Sequence, residues 1–134
     1  MILVDTPAWI GLLRNVDRPA VHQLKRILDS ETTVALTPLI LQEILQGAGS
    51  EAHFTTLQQY FTDLPLLVPS DLAATHSAAA HLYCRCRWAG VTPRSSNDCL
   101  IACQAIEHDV ALLHDDRDFE AIARVEPRLQ LLTT

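Results

Sequence analysis

The chain has 134 residues, 49% of them hydrophobic and 19% charged, with 16 Asp and Glu against 10 Lys and Arg for a formal net charge of −6. This is the length of one domain, with enough apolar residues to build a core without disulfides or zinc, and it excludes a disordered chain. Its longest apolar stretches, Leu64–Pro69 and Val110–Leu113, fall far short of the roughly 20 residues of a membrane span, and no basic segment before Ile2–Val4 points to a signal peptide.

The elements follow in a regular alternation. Ile2–Val4 has the short apolar pattern of a buried parallel strand. Thr6-Pro7 then signals an N-cap with proline at the first helical position, opening a helix to about Arg14. Pro19–Leu28 is a second helix, with Val21, Leu24, Ile27 and Leu28 on one side, and Thr33–Leu36 a second strand. Thr37-Pro38 repeats the cap signal before a helix carrying Leu39, Ile40, Ile44 and Leu45, which Gly47 and Gly49 end. Glu51–Phe61 reads as a helix, Leu66–Val68 as a strand broken by Pro69, and Asp71–Trp88 as a long helix capped by Ser70. After a loop marked by Gly90 and Pro93, Ser95 or Ser96 caps a helix from Asn97 to about His108. A strand at Val110–Leu113, a short helix at Asp116–Ala123 and a strand at Leu129–Leu132 complete the chain. Alternating strands and helices predict a three-layer α/β/α domain, residues 1–134, around a mainly parallel central sheet.

Such sheets place their functional crevice beyond the carboxyl ends of the strands. Asp5 directly follows the first strand, and Asp115, Asp116 and Asp118 follow Val110–Leu113, so both groups fall on one rim. Asp98 lies in the first turn of a capped helix, and Glu43 is the single acidic residue on an otherwise largely apolar segment. Each alone has an ordinary reading: a solvated strand end, a helix-opening acid, an exposed helix residue. Together they carry more. Two like charges about 4 Å apart repel by about 4 kcal/mol at an effective dielectric near 20, a large fraction of a net stability of about 5–15 kcal/mol. Protonation relieves part of that, and a hard divalent cation with oxygen ligands relieves it better. Setting aside Asp5, Glu43, Asp98, Asp116 and Asp118 leaves 11 acidic residues against 10 basic ones, so the excess acidity coincides with the cluster.

Carboxylates around Mg²⁺ or Mn²⁺ suit hydrolysis of a phosphodiester, since the ion activates a water and polarises the phosphoryl oxygens without a nucleophilic Ser or Cys. Arg85, Arg87 and Arg94, just before the Asp98 helix, are candidates for contacts to flanking phosphates. His114 at a strand end is a candidate for ordering the site, or a structural histidine. Cys84, Cys86, Cys99 and Cys103 lie within one stretch of 20 residues, but Cys-x-Cys and Cys-x-x-x-Cys do not match zinc-site spacing, and buried thiols of a reducing cytoplasm are the expected reading.

The chain resembles, over essentially its full length, the VapC-type toxins, small PIN-domain endoribonucleases. The resemblance is carried by Ile2-Leu3-Val4-Asp5-Thr6, by Thr37–Leu45 around Glu43, and by Arg94-Ser95-Ser96-Asn97-Asp98-Cys99-Leu100-Ile101-Ala102. Leu112–Phe119 completes it, with His114-x-Asp116-x-Asp118-Phe119. It implies that Asp5, Glu43, Asp98 and Asp116 coordinate Mg²⁺ or Mn²⁺, with Asp118 as an auxiliary carboxylate and Thr6 and Ser96 as assisting hydroxyls. Asp116 is preferred to Asp115 from its spacing to Phe119. It further implies RNA cleavage, silencing by a VapB antitoxin whose basic tail crosses the site, and dimerisation, while the short apolar stretches noted above speak against a membrane partner. His114 stands where Thr is frequent and Asn97 where an aliphatic residue is frequent, and neither removes a carboxylate. Among other classes, a haloacid-dehalogenase-like phosphatase needs Asp where Pro7 stands. A phospho-accepting receiver needs a late-strand lysine, whereas Lys25 lies in an early helix. A PIN fold without catalysis, serving only as an interaction module, is the alternative from a different functional class.

Overall fold

The computed structural model describes residues 1–132. Three parallel strands, β1 (Ile2–Val4), β2 (Val34–Ala35) and β3 (Ala111–Leu113), form a sheet in the order β2-β1-β3. Ile2 and Leu3 pair with Val34 and Ala35 on one side, and Ile2, Leu3 and Val4 with Ala111, Leu112 and Leu113 on the other. The first strand of the chain is therefore the centre of the sheet. Leu3, Val4, Leu112 and Leu113 are fully buried, as a strand covered on both faces requires.

Among the described residues seven helices surround the sheet: α1 (Thr6–Leu13), α2 (Pro19–Leu28), α3 (Pro38–Leu45), α4 (Glu51–Phe61), α5 (Leu72–Trp88), α6 (Ser96–Glu107) and α7 (Arg117–Val125). They pack in two groups, α1 on α2 and α3 with α3 on α4, and α5 on α6 and α7 with α6 on α7. The result is the α/β/α layering expected from the alternation. In the first group the fully buried Trp9 and Phe61 meet edge-to-face at 5.0 Å between ring centroids, pinning α1 to α4. In the second, Cys86 of α5 and Cys99 of α6 are both fully buried in the core.

Two expected strands contract to single rungs. Leu66 bridges Leu36 in parallel, and Leu131 bridges Leu112. Pro65 and Pro69 bracket the first of these. Proline has no amide hydrogen to continue a ladder, and Leu66 and Val68 are left largely exposed. The helix starts also differ by a residue. Asp5, not Thr6, is the N-cap of α1, with Pro7 in its first turn. Asp71, not Ser70, caps α5 and accepts from the Ala74 N–H at 3.0 Å. Thr37 caps α3 as expected, its hydroxyl accepting from the Ile40 N–H at 3.2 Å.

Candidate metal centre

The carboxyl ends of β1 and β3 are tied together by the Asp5 N–H, which donates to the Leu113 carbonyl at 2.9 Å. This bond brings Asp5 beside the segment 114–118. A cleft of about 600 Å³ opens there, lined by Asp5, Glu43, Asp98, Asp116 and Asp118 together with Asp115. The five carboxylates singled out from the sequence thus share one cleft.

Their settings differ. Asp5 caps α1 only through its backbone, with no capping bond from its side chain, and it is 3% exposed. Burial pushes its carboxyl up to about 7; the Thr6 N–H pulls it down, and the negative charges of Glu43 and Asp116 add to the rise. Glu43, in the second turn of α3, is fixed by the Thr6 hydroxyl, which donates to its Oε1 at 2.9 Å. Asp98 lies in the first turn of α6, whose N-cap Ser95 accepts from the Asn97 N–H at 3.1 Å. A helix N-terminus favours the charged form, yet burial and the charges of Asp5, Asp116 and Asp118 prevail and raise Asp98 to about 8. Asp116 is the N-cap of α7, and its Oδ1 accepts from the Asp118 N–H at 2.9 Å.

Asp98, Asp116 and Asp118 come closest together, each offering an oxygen within 4.8 Å of the others. Hard oxygens so arranged, with the Asp98 carboxyl raised by burial and by its acidic neighbours, fit a divalent cation. Glu43 and Asp5 line the same cleft outside this tight triad. Asp115, by contrast, faces Arg18, whose Nη2 donates to its Oδ1 at 2.8 Å. The structure therefore brings Asp116 rather than its neighbour into the triad. His114 braces the segment, its Nδ1 accepting from the Asp116 N–H at 3.2 Å and its ring lying 5.5 Å from that of Phe119.

The other expected residues are distributed unevenly. Thr6 lines the cleft, whereas Ser96 is exposed and does not, the polar side chains of Ser95 and Asn97 taking that rim. Of the three arginines, only Arg94 reaches the cluster. Its Nη2 donates to Asp116 Oδ1 at 2.6 Å and its Nε to Asp118 Oδ2 at 3.1 Å. The Arg94 backbone N–H also donates to Asp118 Oδ2, at 3.0 Å, and these bonds together hold the Asp118 carboxyl below its usual range. Arg85 points elsewhere. It donates to Glu126 Oε1 at 3.1 Å and to the Val125 carbonyl at 3.0 Å, and Arg128 first, with Arg85 beside it, holds the buried Glu126 down at about 2. Arg87 lies over the Tyr83 ring at 5.9 Å on the surface of α5. Arg14 and Arg18 line the cleft without having been singled out from the sequence, because nothing in their spacing says which way they point. The cysteines take no part. Cys86, Cys99 and Cys103 are buried, and burial raises the Cys99 and Cys103 thiols to about 12 and 11, beyond the range of ready ionisation.

A divalent cation at this site would bind with release of protons. Asp5 and Asp98 hold their protons to about pH 7 and 8 in the fold, while in the unfolded chain both ionise near pH 4. The metal-free fold accordingly loses stability as pH rises from about 4 to 8, and a cation that needs both carboxylates must displace those protons. Mn²⁺ affinity, measured by calorimetric titration, is expected to rise about tenfold or more from pH 6 to pH 8. An affinity flat across that window would mean that neither carboxylate is a ligand.

The PIN domain family profile matches residues 2–125. The chain is 42% identical over 126 residues to a protein of Mycobacterium bovis named VapC ribonuclease Mb1587 and, to the same degree, to Ribonuclease VapC11 of Mycobacterium tuberculosis. Each alignment covers 93% of this chain and 93% of the relative. Among solved structures it is similar to VapBC-1 of nontypeable Haemophilus influenzae, with a TM-score of 0.72 at 22% identity over 98% of this chain and 97% of that one. It also matches VapBC2 of Rickettsia felis, solved with a promoter DNA fragment, with a TM-score of 0.71 at 18% identity over 98% of both chains.

Proposed function

The chain belongs to the PIN domain family, and from that premise we propose that it is the ribonuclease toxin of a toxin–antitoxin pair, a single domain that hydrolyses RNA phosphodiesters with a carboxylate-bound divalent cation. The observation that carries this reading is the convergence of Asp98, Asp116 and Asp118, with Asp5 and Glu43 on the same cleft, in a chain 42% identical to named VapC ribonucleases.

In this reading Asp98, Asp116 and Asp118 hold Mg²⁺, or Mn²⁺ in its place, with Asp5 and Glu43 completing the acidic set. Such an ion, when bound, supplies a water of lowered pKa and offsets charge building on the phosphate. Thr6 keeps the Glu43 carboxylate turned into the cleft. Asp5, nearly buried and poised near neutrality, is placed to hold or release a proton at its carboxyl oxygen. Arg14 and Arg94 on the rim offer guanidinium groups to flanking phosphates.

The neighbours named VapBC support a VapB-type antitoxin as the protein partner. An acidic cleft favours a basic segment from that partner through complementary charge. We extend the reading to a homodimer acting in the cytoplasm; among the described residues no helix is long and apolar enough to cross a membrane.

The experiment is cleavage of tRNA, rRNA and mRNA pools by purified, antitoxin-free protein. Discrete cleavage in Mg²⁺ or Mn²⁺, its loss in EDTA and its return with excess Mg²⁺ are the expected results. Cleavage indifferent to EDTA, or none from any pool with either ion, would overturn the reading.

A further inference from the structure

Among the described residues, Arg94 is the one cation that hydrogen-bonds the triad. Its two parts behave differently. The backbone is fixed: Pro93 before it is buried, its N–H is bound to Asp118, and the loop behind it is anchored by the Val91 N–H on the Cys86 carbonyl at 2.8 Å. The side chain is 76% exposed and is held by the carboxylates alone. A guanidinium so placed is free to swing into water without moving the loop that carries it.

The oxygens it uses matter. Asp116 Oδ1 receives both the Asp118 N–H and Arg94 Nη2. Asp118 Oδ2 receives both the Arg94 N–H and Nε. Each carboxylate is thus already oriented by a backbone N–H, which would remain if the guanidinium left, so the triad does not depend on the arginine side chain for its shape. The guanidinium supplies charge compensation instead. A divalent ion brought among the same carboxylates provides more charge at shorter range and repels the guanidinium.

We propose that Arg94 is a displaceable counter-ion of the metal centre: its guanidinium neutralises Asp116 and Asp118 in the metal-free protein, competes with the incoming divalent ion and swings out when that ion binds. The affinity of the site is therefore set below what its carboxylates alone would give. This inference rests on the reading of the triad as a cation site.

The test is Mn²⁺ binding to the full chain, followed by electron paramagnetic resonance, for wild type, Arg94→Ala, Arg94→Lys and Arg18→Ala. Arg18 is the control because it is also a cleft cation, paired with Asp115 outside the triad. Arg94→Ala is expected to bind Mn²⁺ about tenfold tighter, Arg94→Lys to fall between it and wild type, and Arg18→Ala to match wild type. In the unmodified chain, the Arg94 Nε–H resonance is expected to move from a protected to a freely exchanging position as Mg²⁺ is added. Equal tightening by Arg94→Ala and Arg18→Ala would reduce the effect to general charge and overturn the counter-ion role. So would an Arg94 resonance unmoved by saturating Mg²⁺, which decides the matter even if a variant misfolds. Failure of both wild type and Arg94→Ala to bind Mn²⁺ would remove the cation site itself, a result distinct from wild-type binding that Arg94→Ala leaves unchanged.

Discussion

Asp98→Asn is expected to lower RNA cleavage by about a thousandfold or more while making the metal-free protein harder to unfold. Both effects come from one feature. Asp98 is half-buried among Asp5, Asp116 and Asp118, and its carboxyl is raised to about 8 from the ordinary 3.8. Between those two values the folded chain keeps a proton that the unfolded chain has released, so rising pH draws stability out of the fold and the whole penalty is present above pH 8. Asparagine is similar in shape and never ionises, so it carries no such penalty. The variant should therefore melt above wild type at pH 8, and the gap should close towards pH 4. Metal reverses the order, because Asn cannot supply the anionic oxygen a hard cation needs. Saturating Mg²⁺ should raise the melting temperature of wild type and leave the variant where it was. Cleavage assays and thermal unfolding across that pH range check the pair. A variant that still cuts RNA at the wild-type rate, or that melts below wild type at pH 8, would show that Asp98 is not held in the conflict described.

Trp9→Ala should cost about 3–5 kcal/mol of unfolding free energy. Trp9 is one of the largest fully buried side chains, and it sits on α1 one turn past Asp5. Its ring packs edge-to-face on Phe61, so truncation opens a cavity where α1 meets α4. Its indole N–H finds no hydrogen-bond acceptor, which makes Trp9→Phe the informative companion. Phenylalanine keeps most of the packing and removes a donor that was buried without a partner. Urea titration should rank the three as wild type, then Trp9→Phe close behind, then Trp9→Ala far below. A loss under about 1 kcal/mol for Trp9→Ala would contradict a close-packed site.

Much of this architecture was legible in the sequence for physical reasons. Ile2–Val4 could only be a strand buried on both faces, and it reads to the residue. The Thr37-Pro38 pair fixed the start of α3, and with it the place of Glu43 on that helix. What periodicity conveys less well is how long a strand's neighbours remain beside it. Leu66–Val68 and Leu129–Leu132 have strand composition, yet each makes one rung, a property of its partner's length and of flanking prolines. The acidic residues were visible because strand ends and helix starts constrain where a short side chain lies. The arginines were not. A long side chain, on a helix or on a loop, reaches whichever charge the fold brings within range, so Arg85 of α5 is bound to Glu126 while Arg94 on its loop reaches Asp116 and Asp118. The buried Glu126 went unnoticed for the same reason, although Glu126-Pro127-Arg128 places an opposite charge two residues away.

The central position of β1 has a consequence for the living cell. Strand β1 cannot be paired on both sides until β3 joins it, and β3 (Ala111–Leu113) is made long after Ile2–Val4. At about 5–20 residues per second, several seconds separate the emergence of Asp5 from that of Asp116. Through that interval the ribosome carries a chain whose acidic groups are still apart. A chain of this topology cannot assemble its acidic cleft early in synthesis, and the site forms only once β3 has joined β1.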